Sequence, residues 1–150
     1  MKSAVIEESP GASITHTFAL LAGAVCRQAP TMTDLDGNVH RAVEVDGVRW
    51  SAEELRTTKY VNGDAVEAVS SAAQWIAATA GALCSYDNST NNDSTTGKRY
   101  NWFAARDPRG LCPLGWHVAT DPEWKDLESA LGMPASELDG MGFIRGEAQN

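Results

Sequence analysis

The alternation of apolar and polar residues predicts short strands joined by tight turns in the first half of the chain. Over residues 39–45 the side chains alternate with a period of two, which is typical of a half-buried strand. Asp46-Gly47 is a strong hairpin-turn signal, so residues 48–50 are predicted to form the returning strand. Asp36-Gly37-Asn38 and Asn62-Gly63-Asp64 predict two further turns.

A capping box predicts the start of a helix near residue 120. Thr120 and Glu123 have the spacing at which the two side chains satisfy backbone N–H groups reciprocally, and Pro122 suits the first turn. Gly132 predicts the end of this helix. Apolar positions at i, i+3 and i+7 predict a buried face that consists of Trp124, Leu127 and Leu131.

A shorter helix is predicted within the alanine-rich residues 66–80. Residues 83–86 are predicted to form a strand, and the polar residues 87–97 a loop. Because strands and helices do not alternate along the whole chain, the predicted fold class is α+β and not a doubly wound sheet.

The composition indicates one globular domain with an aromatic core. The chain has 150 residues, enough for one core, and 43% of them are hydrophobic. Tryptophan is frequent for this length, and each indole can bury a large apolar area. The predicted core aromatics are Trp50, Trp75, Trp102, Trp116 and Trp124. An exposed platform on which sugars stack is the alternative role for these residues.

The formal net charge of −8 argues against a nucleic-acid partner, because phosphate binding requires clustered Lys and Arg. An acidic surface leaves cation binding open. The sequence has no run of 18 apolar residues, so no transmembrane span is predicted.

Residues 1–30 are predicted to be a leader that precedes a domain at residues 31–150. The apolar residues 18–25 have the length of a signal-peptide core, and Cys26 follows them as the candidate lipidation site of a bacterial lipoprotein. Lys2 is the only Lys or Arg before this stretch, where a more positive region is expected. A disordered leader is therefore the alternative.

The polar loop contains a candidate ligand or calcium site. Oxygen-bearing side chains recur along residues 87–93, as they do in calcium-binding loops. The stretch lacks the glycine and the final acidic residue of an EF-hand loop, so a solvated loop is the alternative. The candidate residues are Asp87, Asn88, Asn91 and Asp93.

The sequence contains no familiar catalytic or zinc-binding motif. A nucleophile elbow, an HExxH motif and a phosphate-binding loop are all absent. His16, His40 and His117 have no ligand spacing with the cysteines, and His117 is predicted to be a packed residue and not a general base. The chain is therefore predicted not to be an enzyme. Calcium is the one metal considered, and no other cofactor is predicted.

Several segments, in consistent order, resemble the Fibrobacter succinogenes major paralogous domain. The most specific is G-L-C-P-L-G-W-H-V at residues 110–118, followed by T-D and E-W at 120–124. The others are T-D-L-D-G-N-V at 33–39, V-R-W at 48–50, A-E-E-L-R-T-T-K-Y at 52–60 and Y-N-W at 100–102. The resemblance covers about residues 31–150. The family domain usually continues beyond this point, which predicts an incomplete sheet with unpaired strand edges.

The resemblance implies an extracytoplasmic protein, secreted or lipid-anchored at the cell surface. It implies a C-type-lectin-like fold with a small twisted antiparallel sheet, two helices and long irregular loops. It also implies a disulfide bond between Cys84 and Cys112, because both positions match cysteines of the family. Two reduced thiols in the core are the alternative.

Three functional hypotheses follow from the resemblance and from the tryptophans. The first is a surface binding module whose ligand is a carbohydrate or a protein. The second is a structural or adhesion domain of a larger surface protein, without a small-molecule ligand. The third is an enzyme of the formylglycine-generating type. It ranks last, because Cys84 and Cys112 match the family's own pattern and not the active cysteines of those enzymes.

Overall fold

The computed structural model describes the backbone of residues 5–7, 17–20 and 24–140, and the side chains of residues 31–140. The strands are β1 (Val5–Glu7), β2 (Thr17–Leu20), β3 (Ala24–Thr33), β4 (Val39–Val45), β5 (Val48–Ser51), β6 (Glu67–Ala68), β7 (Ala82–Ser85), β8 (Lys98–Tyr100) and β9 (Trp116–Val118). The helices are α1 (Ala72–Ala77), α2 (Asp93–Thr96), α3 (Trp102–Ala105) and α4 (Asp121–Ala130). Small sheets with few helices confirm the predicted α+β class.

The larger sheet is antiparallel, with the strand order β2-β3-β4-β5-β1-β9. It contains the predicted β4–β5 hairpin, in which Val45 pairs with Val48 across a two-residue turn. Asp46 and Gly47 have φ angles of 51° and 80°. These left-handed conformations are what the tight hairpin turn requires, and Asp and Gly adopt them more readily than other residues. The hairpin prediction is confirmed.

The smaller sheet has the order β6-β7-β8, with β6 parallel and β8 antiparallel to β7. Residues 87–97, predicted to be a loop, are more ordered than expected. They contribute to two 3-10 turns, Tyr86–Asn88 and Thr90–Asn92, and to α2. The predicted helix within residues 66–80 is the six-residue α1.

The main core lies between the two sheets and the loops that join them. Its buried residues are Met32, Leu55, Tyr60, Val66, Leu83, Ala104, Leu111 and Cys112, and Tyr100, Trp116 and Val118 pack against them. A smaller cluster forms where α4 covers the hairpin, through Val45 and Trp50 against Leu127 and Ala130.

The buried face of β4 differs from a simple apolar stripe. His40 and Ala42 are fully buried on this strand, whereas Val39 is 53% exposed. His40 can be buried because its Nε2 lies 3.1 Å from the carboxylate of Asp34, which is also buried. A paired polar group thus occupies a core position that polarity alone would not assign to it.

The prediction that all five tryptophans form the core is wrong for Trp102, which is 57% exposed. Trp50 is buried, and Trp75, Trp116 and Trp124 are half-buried. A similar correction applies to the end of α4: Leu131, the residue that follows the helix, is 42% exposed, whereas Trp124, Leu127 and Ala130 pack on the hairpin.

Part of the predicted leader belongs to the larger sheet. Strands β1 and β2 lie within residues 1–30, and the boundary at residue 30 falls inside β3. The backbone of Cys26 pairs with Phe18 on one side and Val45 on the other. The Cys26 side chain lies outside the described residues, so its lipidation stays a prediction. None of the helices in the described part of the chain has the length and apolar character needed to cross a bilayer.

Candidate functional site

A groove of about 750 Å³ lies between α1, the β7–β8 strands and the start of α3. We call it the aromatic groove. Its walls carry aromatic side chains (Trp75, Tyr100, Trp102), aliphatic side chains (Val69, Ala72, Ile76), and polar or charged groups (Asp87, Asn88, Arg99, Asn101, Ser71, Ser85), together with Cys84. Apolar walls with a few convergent polar groups are typical of ligand sites in proteins.

A side-chain cap holds the first wall of the groove in place. The Ser71 hydroxyl accepts a hydrogen bond from the Gln74 backbone N–H at 3.2 Å, and Gln74 Oε1 accepts one from the Ser70 backbone N–H at 3.2 Å. This reciprocal arrangement stabilises the start of α1. The helix buries none of its residues, so Ile76 is 83% exposed. Helix α1 therefore presents apolar surface to solvent along the groove.

Asn101 fixes the opposite wall. Its Oδ1 accepts hydrogen bonds from the Ala82 N–H at 3.0 Å and from the Ala104 N–H at 2.9 Å, and its Nδ2 donates to the Ala80 carbonyl at 2.8 Å. One side chain thus caps α3 and ties it to the start of β7. Trp102, the next residue, is held at the groove by a rigid support although its indole is largely exposed.

Two consecutive residues that line the groove have a left-handed backbone conformation. Asp87 has a φ angle of 51° and Asn88 one of 53°. Residues other than glycine rarely adopt this backbone conformation, and among them Asp and Asn tolerate it best. Such backbone is concentrated at functional sites, where it aims side chains at a ligand. Here it accompanies the two polar side chains that line the groove.

The structure divides the predicted ligand loop between two places. Asp87 and Asn88 line the aromatic groove, and Asn91 is exposed on the second 3-10 turn. Asp93 faces a separate polar cleft of about 490 Å³, where its Oδ2 lies 2.6 Å from Lys98 Nζ. The described residues contain no group of three or more His, Cys, Asp or Glu side chains suited to a metal ion. Calcium binding therefore stays a prediction without a ligand cluster behind it.

The expected disulfide bond is not present in this structure, in which Cys84 and Cys112 are both thiols. Cys112 is packed in the main core with Leu83. Cys84 follows Leu83 on β7 and so points to the other face of the strand, where it lines the groove. The two sulfur atoms are thus directed to opposite sides of the small sheet. Burial raises the pKa of the Cys84 thiol, which keeps it protonated at neutral pH.

The residues of the D-L-D-G-N segment build a turn and not a ligand site. Asp34 Oδ1 accepts hydrogen bonds from the backbone N–H groups of Asp36 at 3.0 Å and Asn38 at 2.9 Å. The same carboxylate binds His40, so its acceptor positions are already used. The Asp34 carboxylate therefore has a structural role in this turn.

Asp36 links this turn to the T-T-K-Y segment. Its Oδ2 accepts from the Thr58 hydroxyl at 2.9 Å and from the Thr58 backbone N–H, and its Oδ1 lies 2.9 Å from Lys59 Nζ. Burial by itself raises the pKa of Asp36, but these hydrogen bonds outweigh it and hold the pKa below its ordinary value. Tyr100 completes the connection, because its hydroxyl donates to the Thr57 carbonyl at 2.7 Å.

His117 contacts the first turn of α4 through Glu123. Its Nε2 lies 2.8 Å from Glu123 Oε1, and Glu123 Oε2 accepts from the Thr120 N–H at 2.7 Å. Burial is the largest influence on the pKa of Glu123 and raises it, but the hydrogen bonds from Thr120 and His117 bring the pKa below its ordinary value. A cavity of about 360 Å³ between the hairpin and α4 is lined by Trp50 and by this same carboxylate. The Glu123 carboxylate there is committed to the helix cap.

Sequence reasoning missed Arg99 and Ile76 as groove residues, and also Arg106, which stacks on Trp102. The Arg106 guanidinium carbon lies 4.9 Å from the centre of the Trp102 ring, and that of Arg99 lies 5.9 Å from the centre of the Tyr86 ring. No sequence pattern distinguishes these residues from ordinary surface residues, because the groove exists only once three separate segments are packed together.

The comparisons with known proteins agree with the motif resemblance. The family model described as the Fibrobacter succinogenes major domain matches residues 43–150. No curated protein and no solved structure matches the chain. The matched region covers more than half of the sequence and includes β5, both groove walls and α4. The chain therefore belongs to the Fibrobacter succinogenes major domain family.

Proposed function

We propose that this chain is a binding module without enzymatic activity and that the aromatic groove binds a carbohydrate. The observation that carries the proposal is Trp102, an indole 57% exposed beside the half-buried Trp75 in a groove with polar side chains. An exposed indole in the wall of a concave site is an apolar surface that a ligand can cover.

The groove offers the two kinds of contact that a sugar ring requires. A pyranose has an apolar face of C–H groups, which packs well against an indole, and a rim of hydroxyl groups. Asp87 accepts hydrogen bonds, and the Asn88 amide both donates and accepts them. A purely apolar ligand would leave these two groups without partners, which is costly when they are desolvated.

We also propose that the domain is exported and that its fold is C-type-lectin-like, as the family resemblance implies. The α+β architecture and the antiparallel sheet are compatible with that fold. Fold kinship does not determine a ligand, so the carbohydrate proposal depends on the groove and not on the fold. Anchoring through Cys26 is the proposed means of attachment to the cell surface.

Substitution of Trp102 by Ala tests the proposal. We expect Trp102→Ala to weaken carbohydrate binding about tenfold or more, because stacking on the indole is lost. Its effect on the free energy of unfolding should stay within about 1 kcal/mol, because the side chain is largely exposed. Phe103→Ala is the matched control, since Phe103 is 47% exposed, adjacent in sequence and not part of the groove wall.

The measurement is a screen of the full chain on a glycan array, followed by calorimetric titration of the glycans that bind. Unchanged affinity of Trp102→Ala, or an equal loss in Phe103→Ala, would contradict a site in the groove. Thermal denaturation of each variant establishes that the protein is folded.

A protein ligand is the second candidate, and the exposed apolar side of α1 favours it. Ile76 is 83% exposed at the groove, and a protein partner would cover it more completely than a sugar would. If the ligand is a protein, Ile76→Asn should abolish binding of that protein. Any binding of glycans should be the same in this variant as in the wild-type chain. Enzymatic oxidation by a thiol receives no support from Cys84, because burial raises its pKa and keeps it in the less reactive thiol form.

A further inference from the structure

Some of the described basic side chains form ion pairs with carboxylates, and others do not. The sequence has 20 Asp and Glu residues against 12 Lys and Arg residues, so carboxylates are in excess. Six described basic side chains form ion pairs with them: Arg41, Arg56, Lys59, Lys98, Arg109 and Lys125. Arg99 and Arg106 form no ion pair with any described carboxylate.

Of these two guanidinium groups, one lines the aromatic groove and the other lies against a tryptophan of its wall. Arg99 lines it, and Arg106 stacks on Trp102 at 4.9 Å. Arg99 Nη1 donates to the Thr96 carbonyl at 2.9 Å, which orients the group without neutralising it. Both groups are therefore available to an external anion, and their positive charge offsets the repulsion that an acidic chain would otherwise exert on it.

The stacked arrangement leaves the guanidinium donors available. An arginine that packs its flat face on an aromatic ring keeps the N–H groups at its edge free for hydrogen bonds. Those donors match the geometry of a carboxylate, which a guanidinium can bind through two parallel hydrogen bonds. Arg106 therefore supplies hydrogen-bond donors for an anion beside the Trp102 indole, over whose ring it lies.

Resting on the proposed carbohydrate function, we infer that the ligand of the groove is an acidic saccharide, one whose sugar units carry a carboxylate. The ring packs on Trp102 and the carboxylate pairs with Arg99 and Arg106. Asp87 lies on the wall of the same groove and repels a carboxylate, so it receives a hydroxyl group and sets the direction of the sugar. The groove therefore has one anion-accepting side and one hydroxyl-accepting side.

The test compares uronic-acid tetrasaccharides with their carboxyl-reduced counterparts, which keep the ring and lose the charge. We expect the full chain to bind the acidic forms at least tenfold more tightly at about 0.15 M salt, where long-range charge effects are screened. Arg99→Gln and Arg106→Gln should each weaken binding of the acidic form about tenfold, the usual scale for a hydrogen bond to a charged group. Binding of the reduced form should not change. Arg41→Gln is the control, because Arg41 is 73% exposed and does not line the groove.

The outcomes separate this inference from the proposed function. If acidic and reduced tetrasaccharides bind equally, the Arg variants bind as wild type does and Trp102→Ala still weakens binding, the anionic ligand is wrong and the carbohydrate function stands. If neither form binds the wild-type chain, the acidic ligand is wrong, and if the glycan array also shows no ligand, the carbohydrate function is overturned with it. If poly-L-glutamate binds as tightly as the acidic saccharides and independently of Trp102, the site recognises a carboxylate on a peptide and the saccharide assignment is wrong.

Discussion

At the scale of single residues, Gly81 illustrates how closely the core is packed around the groove. A Cβ atom at this position would overlap the Tyr60 hydroxyl and would lie 3.1 Å from the Ala104 Cα. Tyr60 is itself 1% exposed and cannot easily move away. The absence of a side chain at Gly81 is thus a packing requirement and not a matter of backbone freedom.

We expect Gly81→Ala to lower the free energy of unfolding by about 2 kcal/mol, the usual cost of overpacking a core. In a Tyr60→Phe background the cost should fall, because the hydroxyl that the new methyl group meets is gone. The Tyr60 hydroxyl lies near Asp107 and Arg109 but makes no hydrogen bond of good geometry with a described residue, so Tyr60→Phe alone should cost less than Gly81→Ala. Urea denaturation of the two single variants and the double variant measures the coupling, and additive costs would contradict the predicted overlap.

At the scale of elements, α4 begins as its sequence predicts. Thr120 is the N-cap, and the capping box with Glu123 is formed. Gly132 follows the C-cap with a φ angle of 96°, the left-handed conformation that ends many helices. Only the burial was predicted incorrectly, because amphipathic spacing does not say how much of a helix face its neighbour covers.

Thr120→Ala should lower the free energy of unfolding by about 1 kcal/mol, because the cap hydroxyl is lost at the helix N-terminus. Thr120→Ser keeps the hydroxyl and should cost much less. Guanidinium denaturation followed by tryptophan fluorescence reports on this change, since Trp124 packs 5.6 Å from Trp50 in the same region. Equal costs for Ala and Ser would mean that the methyl group of Thr120, and not its cap, matters.

At the scale of the whole molecule, a set of carboxylates makes stability depend on pH. Neighbouring groups lower the pKa values of Asp36, Glu53, Asp64, Asp107 and Glu123 in the folded state. For Asp107, hydrogen bonds from Arg109 lower the pKa to about 2. A depressed folded-state pKa stabilises the fold above the unfolded pKa, and this stabilisation is lost as the pH falls through the folded value.

The free energy of unfolding should therefore be nearly constant above about pH 5 and fall steadily below about pH 4, because the unfolded chain takes up protons there before the folded protein does. Urea denaturation at intervals between pH 3 and pH 7 measures this dependence. In Asp36→Asn, the slope below pH 4 should be shallower, because one of the titrating groups is removed. A stability that rises on acidification would contradict the sign of all five shifts.

The groove is the part of the molecule that sequence patterns predicted least. Asp87 and Asn88 were identified as candidate ligands from residue type, but as members of a calcium loop with Asp93. Asp93 instead pairs with Lys98 in a different cleft, so the predicted loop site is divided. Trp102 was assigned to the core because aromatic residues are usually buried, whereas Asn101 caps α3 in a position that leaves the indole at the surface.

The sequence by itself determined the local features of this protein, because turns, caps and strand periodicity depend on neighbouring residues along the chain. These include the Asp46-Gly47 hairpin, the start and end of α4, the α+β class and the family. Tertiary packing alone decided which side chains are exposed and which lie together. The opposite directions of Cys84 and Cys112, the burial of His40 against Asp34, and the meeting of Trp75, Trp102 and Arg99 all depend on segments far apart in sequence. Burial and contact between such segments are set by the packing of sheets and helices, which no local pattern specifies.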